Sequence, residues 1–350
     1  MSASFRELLK QVGSGTHTGK NLTRAEAATA TELMLKQEAT PAQIGAFMIA
    51  HRIKRPTSEE LAGMLDAYDE WGGKIPPLTR ESAYPVTVFG IPYDARSRTA
   101  TVFPITLLLL ASMGIPVILQ GGDCMPTKYG IPYVDIWEGL GINYRSLTLE
   151  DNQKLLNETG IAFYYLPQHF PQAQQLVPYR DEIGKRPPFA TLELIWSPYG
   201  GEANLISGFV HPPTEDRFRE IFDLRKMQKL ITVKGLEGSC DLARNRTGII
   251  GISEQDKPFQ RLNLHPEHYG FAGRDVLLES KEQLIQDLQA VIEGKPRELM
   301  SAAIWNGGAY LYLTGICSDL SQGLTQAEDL IKSGEVANKL RELDLKIAHS

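Results

Sequence analysis

Residues Thr87 to Thr101 read TVFGIPYDARSRTAT, with Val86 before them and the apolar run Val102 to Ala111 after them. The β-branched and aromatic residues from Val86 to Phe89 predict a strand, Gly90 to Asp94 a tight turn, and the apolar run a buried helix. A strand that turns directly into a helix is the unit of α/β folds. Its turn is where such folds place anions, because the unpaired N–H groups of the helix start point outward. Here the turn carries Arg96, Ser97, Arg98 and Thr99 and few glycines. Two cations and two hydroxyls at that position predict an anion clasp built from side chains; the alternative is a solvated loop.

The alternation continues outward from this stretch. Strands are predicted at 86–89, 115–119, 162–165, 205–209 and 230–234, with weaker ones near 248–252 and 260–264, and helical segments fall between most of them. Such alternation implies βαβ units and a largely parallel sheet. Residues 4–74 instead read as helices only. Thr23 with Glu26 and Thr57 with Glu60 have capping-box spacing, and Thr40 stands before Pro41 as a cap before a first-turn proline. The Gly- and Pro-rich stretch 72–85 marks a boundary. Residues 171–198 contain two helical pieces at a Pro-rich joint and read as a hinge-region insertion, and the chain from 280 onward is helical. The predicted fold class is α/β. It consists of a small all-helical domain, residues 1–74 joined by part of 167–200, and a larger domain, 75–350, with a mainly parallel sheet flanked by helices.

With 350 residues and 42% hydrophobic content, the chain can bury a substantial core. A net charge of −6 gives no global basic field, so any site for a nucleic acid or an anionic surface has to be local. Cys124, Cys240 and Cys317 lie far apart and are odd in number, which predicts reduced thiols, neither a disulfide framework nor a zinc site. The longest apolar run, 105–119, is broken by Gly114 and Pro116 and predicts a helix followed by a buried strand, not a membrane span. With an amphipathic helix at the amino terminus and no signal sequence, a soluble cytoplasmic protein is expected. His265 and His268 stand three apart in LHPEHYGF without an evident third ligand, so a structural or surface role is expected for them.

Several longer stretches carry a resemblance. Residues 21–67, NLTRAEAATATELMLKQEATPAQIGAFMIAHRIKRPTSEELAGMLDA, are similar to the helical start of anthranilate phosphoribosyltransferases and of the related pyrimidine nucleoside phosphorylases. VDIWEGLGI (134–142), VPYRDEIGKRPPF (177–189), AAIWNGGAYLYLTG (302–315) and GLTQAEDLIKSGEVANKLREL (323–343) resemble later segments of that family, in order. The resemblance implies attack of a nitrogen nucleophile on the anomeric carbon of phosphoribosyl pyrophosphate, with magnesium pyrophosphate leaving. The family's phosphate turn is Gly-Thr-Gly-Gly-Asp. Gly90 and Asp94 match its ends, while Ile91, Pro92 and Tyr93 replace the middle, and Pro92 lacks a backbone donor. The Lys-His-Gly-Asn-Arg signature falls on Leu119, Gln120, Gly121, Gly122 and Asp123, with Lys128 a few residues on to restore one charge. The magnesium-holding Asp-Glu pair falls on Cys240 and Asp241, with Glu237 nearby, so Mg2+ held by Asp241 and Glu237 is what the resemblance implies. Arg180 matches the arginine that faces the aromatic acid's carboxylate.

Two functions follow as expectations. One is a phosphoribosyltransferase-like pentosyl transferase that takes a phosphorylated ribose donor in the cleft between the two domains and an acceptor other than anthranilate. Gly90, Asp94, Arg96, Ser97, Arg98, Thr99, Gln120, Gly121, Gly122 and Lys128 would bind the donor, and Arg180 the acceptor. The other is a non-catalytic paralogue that binds a nucleotide or a nucleic-acid backbone in the same cleft. A homodimer through the helical domain is expected from the resemblance and from the apolar residues of AQIGAFMIAHRI (42–53).

Overall fold

The computed structural model describes residues 3–15, 18–91 and 96–348. Four helices come first: α1 (Ala3–Gly13), α2 (Arg24–Leu35), α3 (Pro41–Lys54) and α4 (Ser58–Trp71). Their starts follow from local chemistry. Thr23, Thr40 and Thr57 each accept a hydrogen bond from the amide three residues on, and Glu26, Gln43 and Glu60 reach back to the cap amide. The sequence shows the outer two boxes, and the structure adds Thr40 with Gln43.

Seven strands form one sheet: β1 (Val86–Gly90), β2 (Val117–Gly121), β3 (Ile161–Tyr165), β4 (Ala203–Gly208), β5 (Lys229–Val233), β6 (Gly248–Glu254) and β7 (Gln260–Leu264). Their spatial order is β3-β2-β1-β4-β5-β6-β7. The five strands from β3 to β5 are parallel, and β6 and β7 close the sheet antiparallel. Every predicted strand is present, displaced by no more than a few residues.

The parallel strands alternate between two cores, as burial on both faces requires. Phe89, Leu119, Phe163, Ile206 and Ile231 point to one side, where α5 (Phe103–Ser112) and the C-terminal helices pack. Helix α5 has nine buried residues out of ten, because FPITLLLLAS is apolar all round. Val88, Ile118, Ala162, Tyr164 and Leu205 point to the other side, where the core is continuous with that of the amino-terminal helices. Three apolar residues of α3 belong to this core: Ile44, Phe47 and Met48 are buried within the chain. Most of the apolarity of that helix is therefore satisfied internally, with Ile53 left exposed, and the dimer expectation loses most of that part of its basis.

Residues 166–196 form short helices, Leu166–His169, Pro171–Gln174, Val177–Glu182 and Phe189–Leu192, lying against the amino-terminal helices. Tyr179 donates to Gln37 (2.8 Å), Arg52 to the Arg186 carbonyl (2.6 Å), and Tyr68 to Glu193 (3.1 Å).

Chain order reverses at β1: β2 and β3 lie on one side of it, β4 and β5 on the other. The carboxyl ends of β1 and β4 thus flank a topological switch point, where open α/β sheets form a ligand crevice. Both strands end in glycine for a steric reason. A Cβ on Gly90 would lie 1.7 Å from the Leu194 carbonyl oxygen, and one on Gly208 would lie 2.2 Å from that of Gly238.

Candidate functional site

The crevice opens between the carboxyl end of α3, the 186–194 segment and the ends of β4 and β5. It comprises a cavity of about 740 Å3 with Arg52, Arg55, Arg186 and Arg217 in its wall. A neighbouring hollow of about 510 Å3 is walled by Arg98, Lys128, Lys234 and Arg246 and again by Arg186. Arg186, Val210 and Glu237 belong to both. Eight Lys or Arg side chains thus face one carboxylate, Glu237, in a protein whose net charge is −6.

Glu237 stands at the centre of the charge arrangement. It occupies the turn Leu236–Gly238 with a left-handed backbone (φ 54°), unusual for a residue with a Cβ. Its carboxylate accepts from the amides of Ser97 (3.1 Å), Arg98 (3.1 Å) and Thr99 (2.9 Å), and from the hydroxyls of Ser97 (3.3 Å) and Thr99 (2.7 Å). Lys128 Nζ lies 3.6 Å from it and Arg98 Nε 3.7 Å. Burial pushes the carboxyl up, but the Thr99 hydroxyl, the amides and the Lys128 charge outweigh that and hold it at about 2. Successive amides gathered on one anion form a nest. The clasp expected at 96–99 therefore has an internal occupant, a carboxylate of this chain, and its donors are backbone amides as much as side chains.

Arg96 corrects the sequence reading. It is 4% exposed, with its guanidinium bonded to Asp241 and Thr99, so it does not project into the cleft as a clasp residue. Arg98, with a side chain 78% exposed, does. Asp241 is 1% exposed. Its Oδ2 accepts from Arg96 and from the Thr101 hydroxyl (2.5 Å), while buried Oδ1 has no hydrogen-bond partner.

This arrangement does not fit a magnesium pair. Three of the four carboxylate oxygens of Asp241 and Glu237 are committed to protein donors, and Arg96 and Lys128 already supply the positive charge. Cys240, beside Asp241, is buried, and burial pushes its thiol well up, so it offers no thiolate.

Arg180 is likewise taken. It is 1% exposed and bonds through both terminal nitrogens to Glu193, itself 2% exposed, with Nη1 2.9 Å from Oε2. A guanidinium fork already filled by a buried carboxylate is not placed to receive the carboxylate of an acceptor, which corrects its expected role. Gln120 is buried and donates to the carbonyls of Glu193 (2.8 Å) and Trp196 (3.2 Å). Gly121 meets the Phe163 ring and Gly122 the Leu166 and Pro167 side chains. Gly90, under Leu194, and Gln120 support the segment that roofs the crevice, and Gly121 and Gly122 pack toward β3 and the 166–167 turn, so none of the four lines the crevice, contrary to their expected donor-binding role. Asp94, with Pro92 and Tyr93, lies outside the described residues.

The structure thus brings Ser97, Arg98, Thr99, Lys128 and Glu237 together. It adds Arg52, Arg55, Arg186, Arg217, Lys234 and Arg246, none of which the sequence reading singled out. The only local signal for them is the cationic run HRIKR at 51–55; the rest converge from distant segments.

Comparison with known proteins agrees with the fold. Residues 6–72 match the family model described as glycosyl transferase family, helical bundle domain, and residues 98–337 match glycosyl transferase family, a/b domain. The anthranilate phosphoribosyltransferase of Methylobacterium sp. is 27% identical over 344 residues, covering 97% of this chain and 98% of that protein. The one from Cupriavidus necator is 27% identical over 319 residues, 88% and 89% of the two chains. Among solved structures, the Saccharomyces cerevisiae anthranilate phosphoribosyltransferase in complex with PRPP and Mg superposes with a TM-score of 0.83 at 15% identity, covering 100% of this chain and 99% of that one. The Thermus thermophilus enzyme gives 0.77 at 19%, covering 99% and 100%. These two likenesses concern the fold alone.

Proposed function

We propose the following for a protein whose family is established, since the chain belongs to the glycosyl transferase family: it is phosphoribosyltransferase-like and binds a phosphorylated ribose in the basic crevice, with an acceptor other than anthranilate. One observation carries this reading. Eight cationic side chains converge on the switch point of an otherwise acidic protein, which is the electrostatics a di- or triphosphorylated ligand requires. The relatives' names and the PRPP in the yeast complex support a phosphoribosyl donor. The Arg180–Glu193 pair supports an acceptor without the carboxylate of anthranilate. Mg2+ would accompany such a donor, as in that yeast complex, but the described carboxylates offer it no pair, and no step is assigned to it. By the same family likeness we propose a homodimer, which light scattering at micromolar concentration tests: a monomer there removes it.

A second reading is favoured by the occupied carboxylates. The crevice holds the phosphates of a nucleotide or a nucleic-acid strand without transferring anything, since binding needs charge, while transfer also needs metal and donor held together. Calorimetric titration decides between the two. The ligands are phosphoribosyl pyrophosphate, with and without magnesium, and single-stranded DNA at two salt concentrations. Magnesium-dependent donor binding supports the transferase. Magnesium-independent binding with a steep salt slope on DNA supports the second reading. No binding of either ligand removes both.

A further inference from the structure

The turn after β7 carries three metal-ligand side chains within four positions, His265, Glu267 and His268. Spacing alone set two imidazoles three apart and left the third donor open. The structure resolves this through the shape of the turn. Pro266–Tyr269 is a 3-10 helix with His265 as its cap, and 3-10 geometry brings side chains three apart onto one edge. The two imidazoles accordingly stack, ring centroids 4.8 Å apart and 28° between planes. Glu267 Oε1 lies 3.5 Å from His265 Nδ1, and one donor atom from each of the three residues lies within 4.8 Å of the other two. Among the described residues no other His, Cys, Asp and Glu side chains gather in this way.

The turn is held from outside the cluster. Phe271 N donates to the Pro266 carbonyl (2.9 Å), Gly270 closes the turn with φ 77°, and the rings of Tyr269 and Phe271 lie against buried Trp305. The Thr247 hydroxyl lies 3.2 Å from His265 Nδ1.

We propose that His265, Glu267 and His268 form a binding site for a borderline divalent transition-metal ion of the zinc class. Two imidazoles and one carboxylate match the ligand preference of such ions and are too nitrogen-rich for magnesium or calcium. Bonds of about 2.0–2.2 Å around a tetrahedral ion bring donors to roughly 3.3 Å of one another. The cluster therefore closes by about 1.5 Å, which rotation of these half-buried to exposed side chains supplies. Three protein ligands leave a further position to water or to an anion.

Zinc titration of the full chain against a chromophoric chelator at neutral pH tests the site, together with the visible absorption of bound Co2+. The expected result is one zinc per chain, a cobalt spectrum typical of low coordination number, and a rise in melting temperature with zinc. His265→Ala and His268→Ala should each weaken binding at least about tenfold, and Glu267→Gln should weaken it less. The double histidine variant should lose the zinc-dependent rise in melting temperature while melting like the parent without zinc. Absence of zinc binding at micromolar concentration, or a double variant that binds one equivalent as tightly as the parent, overturns the proposal. Phosphate binding in the crevice uses other residues, so either outcome leaves the functional reading intact.

Discussion

Arg96, Arg180, Glu237 and Asp241, read in the sequence as ligand-binding groups, turn out to be partnered within the chain, and this defines what single substitutions will do. Glu237 holds the amides of Ser97, Arg98 and Thr99, the donors a phosphate would use. Glu237→Gln removes the resident anion and leaves the cations in place, so affinity for inorganic pyrophosphate, measured by calorimetry, should rise about tenfold. Unchanged or weaker affinity would show that ligand and carboxylate use different donors. Arg96 and Arg98 sit two residues apart yet should respond in opposite ways. Arg96→Ala strands buried Asp241 without its counter-charge and should cost about 3–5 kcal/mol, seen as a large drop in melting temperature. Arg98→Ala, at a largely exposed side chain, should change stability by no more than about 0.5 kcal/mol while weakening phosphate binding at least about tenfold. A stable Arg96→Ala protein would contradict the pairing.

At the level of elements, the helix starts are where local sequence and tertiary packing coincide. Glu60 is the third residue of α4's capping box and also a buried hub. Its carboxylate accepts from the amides of Thr57 (2.7 Å) and Leu22 (2.8 Å) and from Lys54 (2.7 Å), with His51 at 3.5 Å. Burial raises the carboxyl, but the adjacent His51 ring and the bonds from Lys54 and the two amides hold it at about 2, against an ordinary 4.5. A carboxyl depressed on folding contributes stability that is complete above its unfolded value and is lost as pH falls from about 4.5 toward 2. Glu60→Gln should therefore cost about 2–3 kcal/mol at neutral pH and flatten the fall of melting temperature between pH 5 and pH 3. A variant that keeps the parent's acid profile would place the acid sensitivity elsewhere. The box itself was legible, because Thr57 and Glu60 stand three apart in one turn. The hub was not, because Leu22 reaches Glu60 from another helix connection.

Over the whole molecule, the acidic chain places eight of its 36 Lys and Arg residues on one crevice, so binding of a polyphosphate or nucleic-acid ligand should weaken as salt rises. Replacing Arg55 and Lys234 by Ala, one from each side of the crevice, should lower the slope of log affinity against log salt for single-stranded DNA by about one per cation in contact. A slope equal to the parent's would move the ligand out of the crevice. The fold needed little beyond the chain itself. Strand propensity at Val86–Phe89, the apolar α5 and the threonine caps are properties of neighbouring residues, and residues 86–111 already carried the strand–turn–helix unit from which the parallel sheet followed. The site was legible only as a location. Whether a charge faces a ligand or a partner in the protein depends on residues far away in sequence: Arg96 meets Asp241 across 145 positions, and Ser97 meets Glu237 across 140. The amino-acid order by itself determined the elements, their alternation and the turn at which anions gather, because those rest on short-range backbone and side-chain preferences. Only the tertiary structure decided that the turn's amides hold Glu237, that Arg180 and Arg96 are spent on Glu193 and Asp241, and that eight scattered cations share one crevice, because electrostatic pairing is set by distance in space.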